Sequence, residues 1–231
     1  MRTTAACKVK ICGTTSVVDA QMAVDAGADY CGVVLEVPFS ERSVTVDTAA
    51  EIARQISIPT VIPVFNRPMD WVRRAVELIQ PYAVQLMGRE SPDEVHQLKQ
   101  QLSCDVWKSL FLPPGTSEKP DVEGIHVEME AYTRAGADAL LFDTAAVSRG
   151  KVRFGGTGET SDWGVAAKLI AESTIPAFLS GGIRVENVNQ AIETVRPYGI
   201  DLCSGVESVK GSRDARKLES LMDAVRESRG R

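Results

Sequence analysis

Eight short runs rich in β-branched and apolar residues, each followed by a stretch with helical spacing, constrain this chain more than any other feature. The runs are Val9–Gly13, Tyr30–Leu35, Thr60–Phe65, Ala83–Gly88, Asp105–Leu112, Ala139–Thr144, Ala177–Ile183 and Asp201–Glu207. Between them, apolar residues recur at or close to i, i+3, i+4 and i+7. Ala49, Ile52, Ala53 and Ile56 form one such face, and Val188, Ala191, Ile192 and Val195 another. Strands that alternate with helices build a parallel sheet covered by helices. Eight units in 231 residues fit an α/β chain closed into a (β/α)8 barrel, the TIM-barrel architecture. A doubly wound sheet is the alternative. It needs fewer strands and usually carries a Gly-rich turn after its first strand, where this chain reads Cys12-Gly13-Thr14-Thr15.

Local punctuation agrees with this reading. Ser91-Pro92-Asp93-Glu94 is a capping box with proline at the first helical position. Ala26-Gly27-Ala28-Asp29 and Ala135-Gly136-Ala137-Asp138 read as helix C-caps leading into strands, one the echo of the other. No linker or composition break divides the chain. Residues 1–231 are expected to form one domain, with 1–8 a short N-terminal extension. Ala145–Thr160 reads as the longest loop, rich in glycine, and as a candidate lid.

Composition excludes several classes of function. Twenty-six Lys and Arg face 31 Asp and Glu, for a net charge of −5. Without a basic excess or cluster, nucleic acid is not an expected partner. No apolar run reaches the length of a membrane helix, and Met1–Lys10 lacks an apolar signal core. Five cysteines in a chain of this size do not form a disulfide framework, which points to a reducing cytoplasm. The two histidines, His96 and His126, fall in helical stretches and neither follows a strand, which argues against histidine chemistry and a histidine metal site. Cys7 and Cys12 lack the spacing of a zinc knuckle.

In such barrels the site forms at the C-terminal ends of the strands. That rule selects Cys12-Gly13, Ser40 and Arg42, Asn66, Gln85-Leu86-Met87-Gly88, Asp143-Thr144, Ser180-Gly181-Gly182-Ile183 and Ser204-Gly205-Val206-Glu207. The last two both begin Ser-Gly. Glycines there let a backbone approach an anion with free N–H groups, which suits a phosphate, or they only permit tight turns. Cys12 can serve as a general base if its thiol is acidified. Asp143 can donate a proton if its pKa is raised. The plain alternatives are a buried small hydrophobe and a helix cap. Lys10 shares a strand face with Cys12 and is expected to point into the barrel, as is Lys108. A buried lysine must be paired or neutral. It is either a Schiff-base nucleophile or, the preferred reading for Lys10, half of an ion pair with Asp201.

These residues resemble a known set. Val9-Lys10-Ile11-Cys12-Gly13-Thr14-Thr15 resembles the opening motif of the phosphoribosylanthranilate isomerases, barrel enzymes of tryptophan biosynthesis. Gly27-Ala28-Asp29, Ser40-Glu41-Arg42, Val84-Gln85-Leu86, Leu140–Thr144, Gly155–Gly158, Asp162-Trp163, Leu179–Ile183 with Asn187-Val188, and Ser204–Glu207 follow in that family's order. The resemblance implies a cofactor-independent Amadori rearrangement, without metal, of N-(5′-phosphoribosyl)anthranilate to 1-(2-carboxyphenylamino)-1-deoxyribulose 5-phosphate. It implies Asp143 as the general acid at the furanose ring oxygen and Cys12 as the general base at C2′. It implies Arg42 as the partner of the anthranilate carboxylate, and Gln85, Gly156 and Gly158 as further substrate contacts. Gly181, Gly182, Ser204 and Gly205 match the phosphate cradle. The expected partner is a phosphorylated sugar alone, with the chain a monomer or homodimer.

Three departures stand out. Met87 occupies the place of the family's usual histidine. The second loop, Leu35-Glu36-Val37-Pro38-Phe39, reads one residue longer, and Glu36 is expected near the substrate carboxylate as an unfavourable like charge. Pro63 falls in a strand, where a bulge is expected. They leave open two other readings: a paralogue acting on another phosphorylated sugar, and a non-catalytic relative that binds a phosphorylated ligand or a partner protein.

Overall fold

A computed structural model describes residues 6–113, 121–148, 151–154 and 160–229. In chain order the strands are β1 (Lys8–Ile11), β2 (Tyr30–Gly32), β3 (Thr60–Val64), β4 (Ala83–Leu86), β5 (Asp105–Leu112), β6 (Ala139–Ser148), β7 (Lys151–Phe154), β8 (Ala177–Leu179), β9 (Gly199–Leu202), β10 (Glu207–Val209) and β11 (Ser212–Arg213). The helices are α1 (Val17–Ala26), α2 (Val46–Gln55), α3 (Met69–Ile79), α4 (Pro92–Gln101), α5 (Val122–Arg134), α6 (Trp163–Glu172), α7 (Val188–Val195) and α8 (Ala215–Arg229). Strands β1, β2, β3, β4, β5, β6, β8 and β9 form a parallel ring in that order, closed where β9 pairs with β1. The fold is the expected (β/α)8 barrel. Among the described residues no helix is long and apolar enough to cross a membrane.

Strand alternation sorts the side chains. Val9, Ile11, Val84, Leu86, Val106, Leu110, Leu140 and Phe142 face the helices. The inward positions at the N-terminal end are filled by Tyr30, Val61, Ala83, Trp107, Ala139, Leu141 and Phe178. Trp107 stacks on Phe178 with centroids 5.0 Å apart, and Tyr30 meets Trp107 edge-on at 5.3 Å. This aromatic plug gives the barrel a floor, above which the inward residues turn polar.

The echoed Gly-Ala-Asp motifs make the same joint twice. Gly27 and Gly136 take left-handed φ values of 88° and 95°, which end α1 and α5. Asp29 then donates its N–H to Val9 O while its carboxylate accepts from Val9 N and Lys8. Asp138 does the same with Val106 and Lys99. Each aspartate ties the start of its strand to an earlier one.

The structure differs from the sequence reading in five places. The eighth barrel strand is Gly199–Leu202 rather than Asp201–Glu207. Ser204–Val206 is a turn of 3-10 helix, and Glu207 opens the β10–β11 hairpin. Ala145–Ser148 is no loop. It prolongs β6 and pairs antiparallel with Lys151–Phe154, where Val147 and Val152 suit a strand. Residues 149, 150 and 155–159 of that segment lie outside the described residues. Lys108 faces outward, between Leu86 and Leu140 of the neighbouring strands, because Trp107 and Ser109 take the inward positions. It donates to Leu86 O, Gly88 O and the Glu90 carboxylate. Pro63 sits in β3 without a bulge, since the β3–β4 register is unbroken. Its carbonyl accepts from Leu35 on the β2 side. Its missing N–H falls on that same side, where the β2 strand has already ended. Glu36, the fifth difference, is described with the site.

Candidate active site

Cys12 follows β1 directly, with its N–H donating to Leu202 O at 2.7 Å. The chain then turns at Gly13, whose φ of +76° suits glycine; a Cβ there would lie 2.6 Å from both Arg42 Cδ and Cys203 Sγ. Two residues earlier on the same face, Lys10 has no solvent exposure, and its Nζ lies 2.8 Å from Asp201 Oδ1. The expected ion pair is present. Gly32, the inward residue of β2, makes the space: a Cβ there would come within 2.9 Å of Cys12 Sγ and 3.0 Å of Lys10 Nζ.

The electrostatics follow from this placement. Burial pushes the Cys12 thiol up; the Lys10 ammonium opposes this by charge and hydrogen bond, with a smaller contribution from Arg213. Burial also works against the Lys10 charge, but Asp201 and Cys12 more than offset it and hold the ammonium protonated. Asp143 lies midway along β6, at the mouth end of the part that pairs within the barrel. Its Oδ1 accepts from Thr144 N at 2.7 Å. Burial, reinforced by Asp201, raises its pKa to about 6 against the opposing pull of Thr144, Lys10 and Ser180. Cys12 and Asp143 thus face one interior, with Lys10 and Asp201 acting on both.

Arg42, expected as the partner of the anthranilate carboxylate, pairs with Glu207. Its Nε and Nη2 donate to the two Glu207 oxygens at 2.7 and 2.6 Å, and the pair is buried. Gln85 lies on the inner wall, donating to Ser109 Oγ at 3.0 Å, while its own Oε1 has no hydrogen-bond partner among the described residues. Gly181 and Gly182 take φ values of 88° and 62°. A side chain at Gly181 would strike Thr144, and one at Gly205 would strike the Ile183 carbonyl, so the two Ser-Gly turns lie against each other. Gly156 and Gly158 lie outside the described residues.

Cys12, Val34 and Val37, with Phe65, Met87 and Cys203 against them, form an apolar patch beside the thiol. Exposed Phe39 meets Phe65 edge-on at 4.9 Å. Glu36 does not stand as an unanswered charge. Its carboxylate lies 3.5 Å from Arg67, whose guanidinium also donates to the Glu36 carbonyl and stacks over Trp71.

Sequence reasoning missed one residue, Arg213, and the partner of another, Glu207. Arg213, on β11, donates to the Cys12 carbonyl and, at 3.3 Å, to Thr14 Oγ1. Glu207 was grouped with the phosphate turn, not with Arg42. Both depend on the β10–β11 hairpin folding back over β1, for which no spacing rule gives a signal. His96 is exposed on α4, and His126 on α5 pairs with Glu172 at 3.2 Å, away from the strand ends.

Comparison with known proteins gives a consistent result. The profile of the N-(5′-phosphoribosyl)anthranilate (PRA) isomerase family matches residues 9–224. A relative from Methanocella arvoryzae, named N-(5′-phosphoribosyl)anthranilate isomerase, is 36% identical over 95% of this chain and 98% of its own. One of the same name from Pelobacter propionicus is 36% identical over 96% and 97%. The crystal structure of phosphoribosyl anthranilate isomerase from Thermotoga maritima superposes with a TM-score of 0.80 at 27% identity, covering 96% of this chain and 99% of that one. A structure of such an isomerase in complex with reduced 1-(o-carboxyphenylamino)-1-deoxyribulose 5-phosphate gives 0.78 at 26% identity, covering 96% and 99%. With the profile and these relatives spanning nearly its whole length, this chain belongs to the N-(5′-phosphoribosyl)anthranilate isomerase family.

Proposed function

We propose that this chain isomerises N-(5′-phosphoribosyl)anthranilate to 1-(2-carboxyphenylamino)-1-deoxyribulose 5-phosphate, a step of tryptophan biosynthesis, by acid–base chemistry at Cys12 and Asp143. The observation that carries this reading is the facing of a thiol and a carboxylic acid across one polar interior, in a chain of that family. Asp143, with its pKa near 6, retains a proton further toward neutrality than an ordinary carboxyl. It protonates the furanose ring oxygen, and the ring opens to a Schiff base. The Cys12 thiolate then removes the C2′ proton. The C–H electron pair forms the enolamine, which tautomerises to the aminoketose.

Binding is assigned to the surrounding groups. The Nη1 edge of Arg42, left over from its pair with Glu207, takes the anthranilate carboxylate. The apolar patch around Val34, Val37, Phe65 and Met87 takes the ring. The Gly181-Gly182 and Ser204-Gly205 turns take the phosphate, and Gln85 Oε1 accepts from a sugar hydroxyl. The test is growth of a tryptophan auxotroph lacking this isomerase: the chain restores growth without tryptophan, and Cys12→Ala does not. No rescue by a well-expressed, folded chain contradicts the assignment.

A further inference from the structure

Deepening the acid–base reading and resting on it, we propose that Lys10 is the shared counter-ion of Cys12 and Asp143, a positioning residue that stabilises negative charge on either partner as the reaction proceeds. Its Nζ is fixed in the barrel interior by Asp201 at 2.8 Å, and its charge acts on the Cys12 sulfur beside it. The void over Gly32 holds the ammonium and the sulfur side by side. Asp143 faces the same interior from β6, within the field of both Lys10 and Asp201.

The proton bookkeeping requires such a group. The reactive state has a Cys12 thiolate and a neutral Asp143. Loss of the Asp143 proton to the ring oxygen leaves a carboxylate, and gain of the C2′ proton leaves a Cys12 thiol. Negative charge has moved from sulfur to carboxylate without leaving the interior. A fixed cation acting on both ends stabilises both states with no solvent to reorganise. Asp201 and the Cys12 thiolate together hold that cation protonated against burial, so the thiolate alone still has its counter-ion when Asp201 is neutral.

The test is alkylation of Cys12 by iodoacetamide as a function of pH, read by peptide mass on the full chain. Groups acting on Cys12 are Lys10 on its own strand, Cys31 from β2, Arg42 from the following loop, Asp201 and Cys203 from β9 and its end, and Arg213 from β11. Asp201→Asn removes an anion and lowers the alkylation midpoint. Lys10→Met with Asp201→Asn removes both charges, leaves no unpaired ion buried, and raises the midpoint by about one pH unit relative to Asp201→Asn alone. In the double variant kcat falls at least roughly a hundredfold while KM changes little. Alkylation profiles that coincide with wild type in both variants overturn the proposal and leave the pair purely structural. If the double variant does not fold, Lys10→Gln with Asp201→Asn is read in its place, with the same rise expected and a profile coinciding with Asp201→Asn alone overturning the proposal. Alkylation needs no substrate, so this outcome is separate from failure of the assigned reaction.

Discussion

Arg42 and Glu207 meet in a buried bidentate pair, Nε and Nη2 on the two carboxylate oxygens at 2.7 and 2.6 Å. The pair joins the loop after β2 to the hairpin after β9. It fixes the guanidinium plane and leaves one edge for a substrate carboxylate. Arg42→Ala therefore raises KM for phosphoribosylanthranilate at least roughly tenfold, with a smaller effect on kcat. Glu207→Gln strands a buried cation and lowers stability by about 3 kcal/mol, read by urea unfolding. An unchanged KM in the first variant removes Arg42 from the substrate site.

The pH profile of kcat/KM follows from the two shifted groups. The active form needs Asp143 protonated and Cys12 ionised, yet Asp143 titrates near 6 and burial raises the thiol. That form is a minor but constant fraction between the two pKa values. The profile is bell-shaped, with an acid limb at about 6 set by Asp143 and an alkaline limb set by Cys12. Initial rates from about pH 5 to 10 check this. A profile flat through pH 6 contradicts it.

Asp143 also costs stability. Its folded pKa of about 6 exceeds its ordinary 3.8, so the native state holds the proton more tightly. Stability falls as pH rises between those values and stays lower above them. Asp143→Asn removes the penalty. The variant loses several orders of magnitude in kcat and gains roughly 2 kcal/mol over wild type at pH 7. Urea unfolding at pH 4 and pH 7 checks the sign: the gain is small at the lower pH.

Much of the frame is legible because its determinants are local. The Gly-Ala-Asp motifs announce both helix ends, and alternation along β1 puts Lys10 and Cys12 on one face opposite Asp201. The same rule gives no such help for Lys108, because a lysine amid outward-facing valine and leucine is explained by partners on other elements: the Leu86 and Gly88 carbonyls, Glu90 and Tyr132. The start of β9 at Gly199 is equally hidden. Glycine is a poor strand former, and here it makes room for the Phe178 ring of the plug. Arg213 and Glu207 reach the site through a hairpin placed by long-range contacts.

Gly32 tests the close packing of the interior. Gly32→Ala brings a methyl group within 2.9 Å of Cys12 Cα and Sγ and 3.0 Å of Lys10 Nζ. The expected result is a loss of about 1–3 kcal/mol in stability with a much larger proportional fall in kcat than in folded yield. Thermal melts beside steady-state kinetics separate the two.

The most direct measurement is turnover of freshly made phosphoribosylanthranilate by the purified chain, followed as loss of anthranilate-type fluorescence, with Cys12→Ala and Asp143→Ala alongside. The prediction is turnover by wild type and a loss of several orders of magnitude in each variant, both still folded. Full activity in either variant, or no turnover by a folded wild type, contradicts the assignment of Cys12 and Asp143 as base and acid of this reaction.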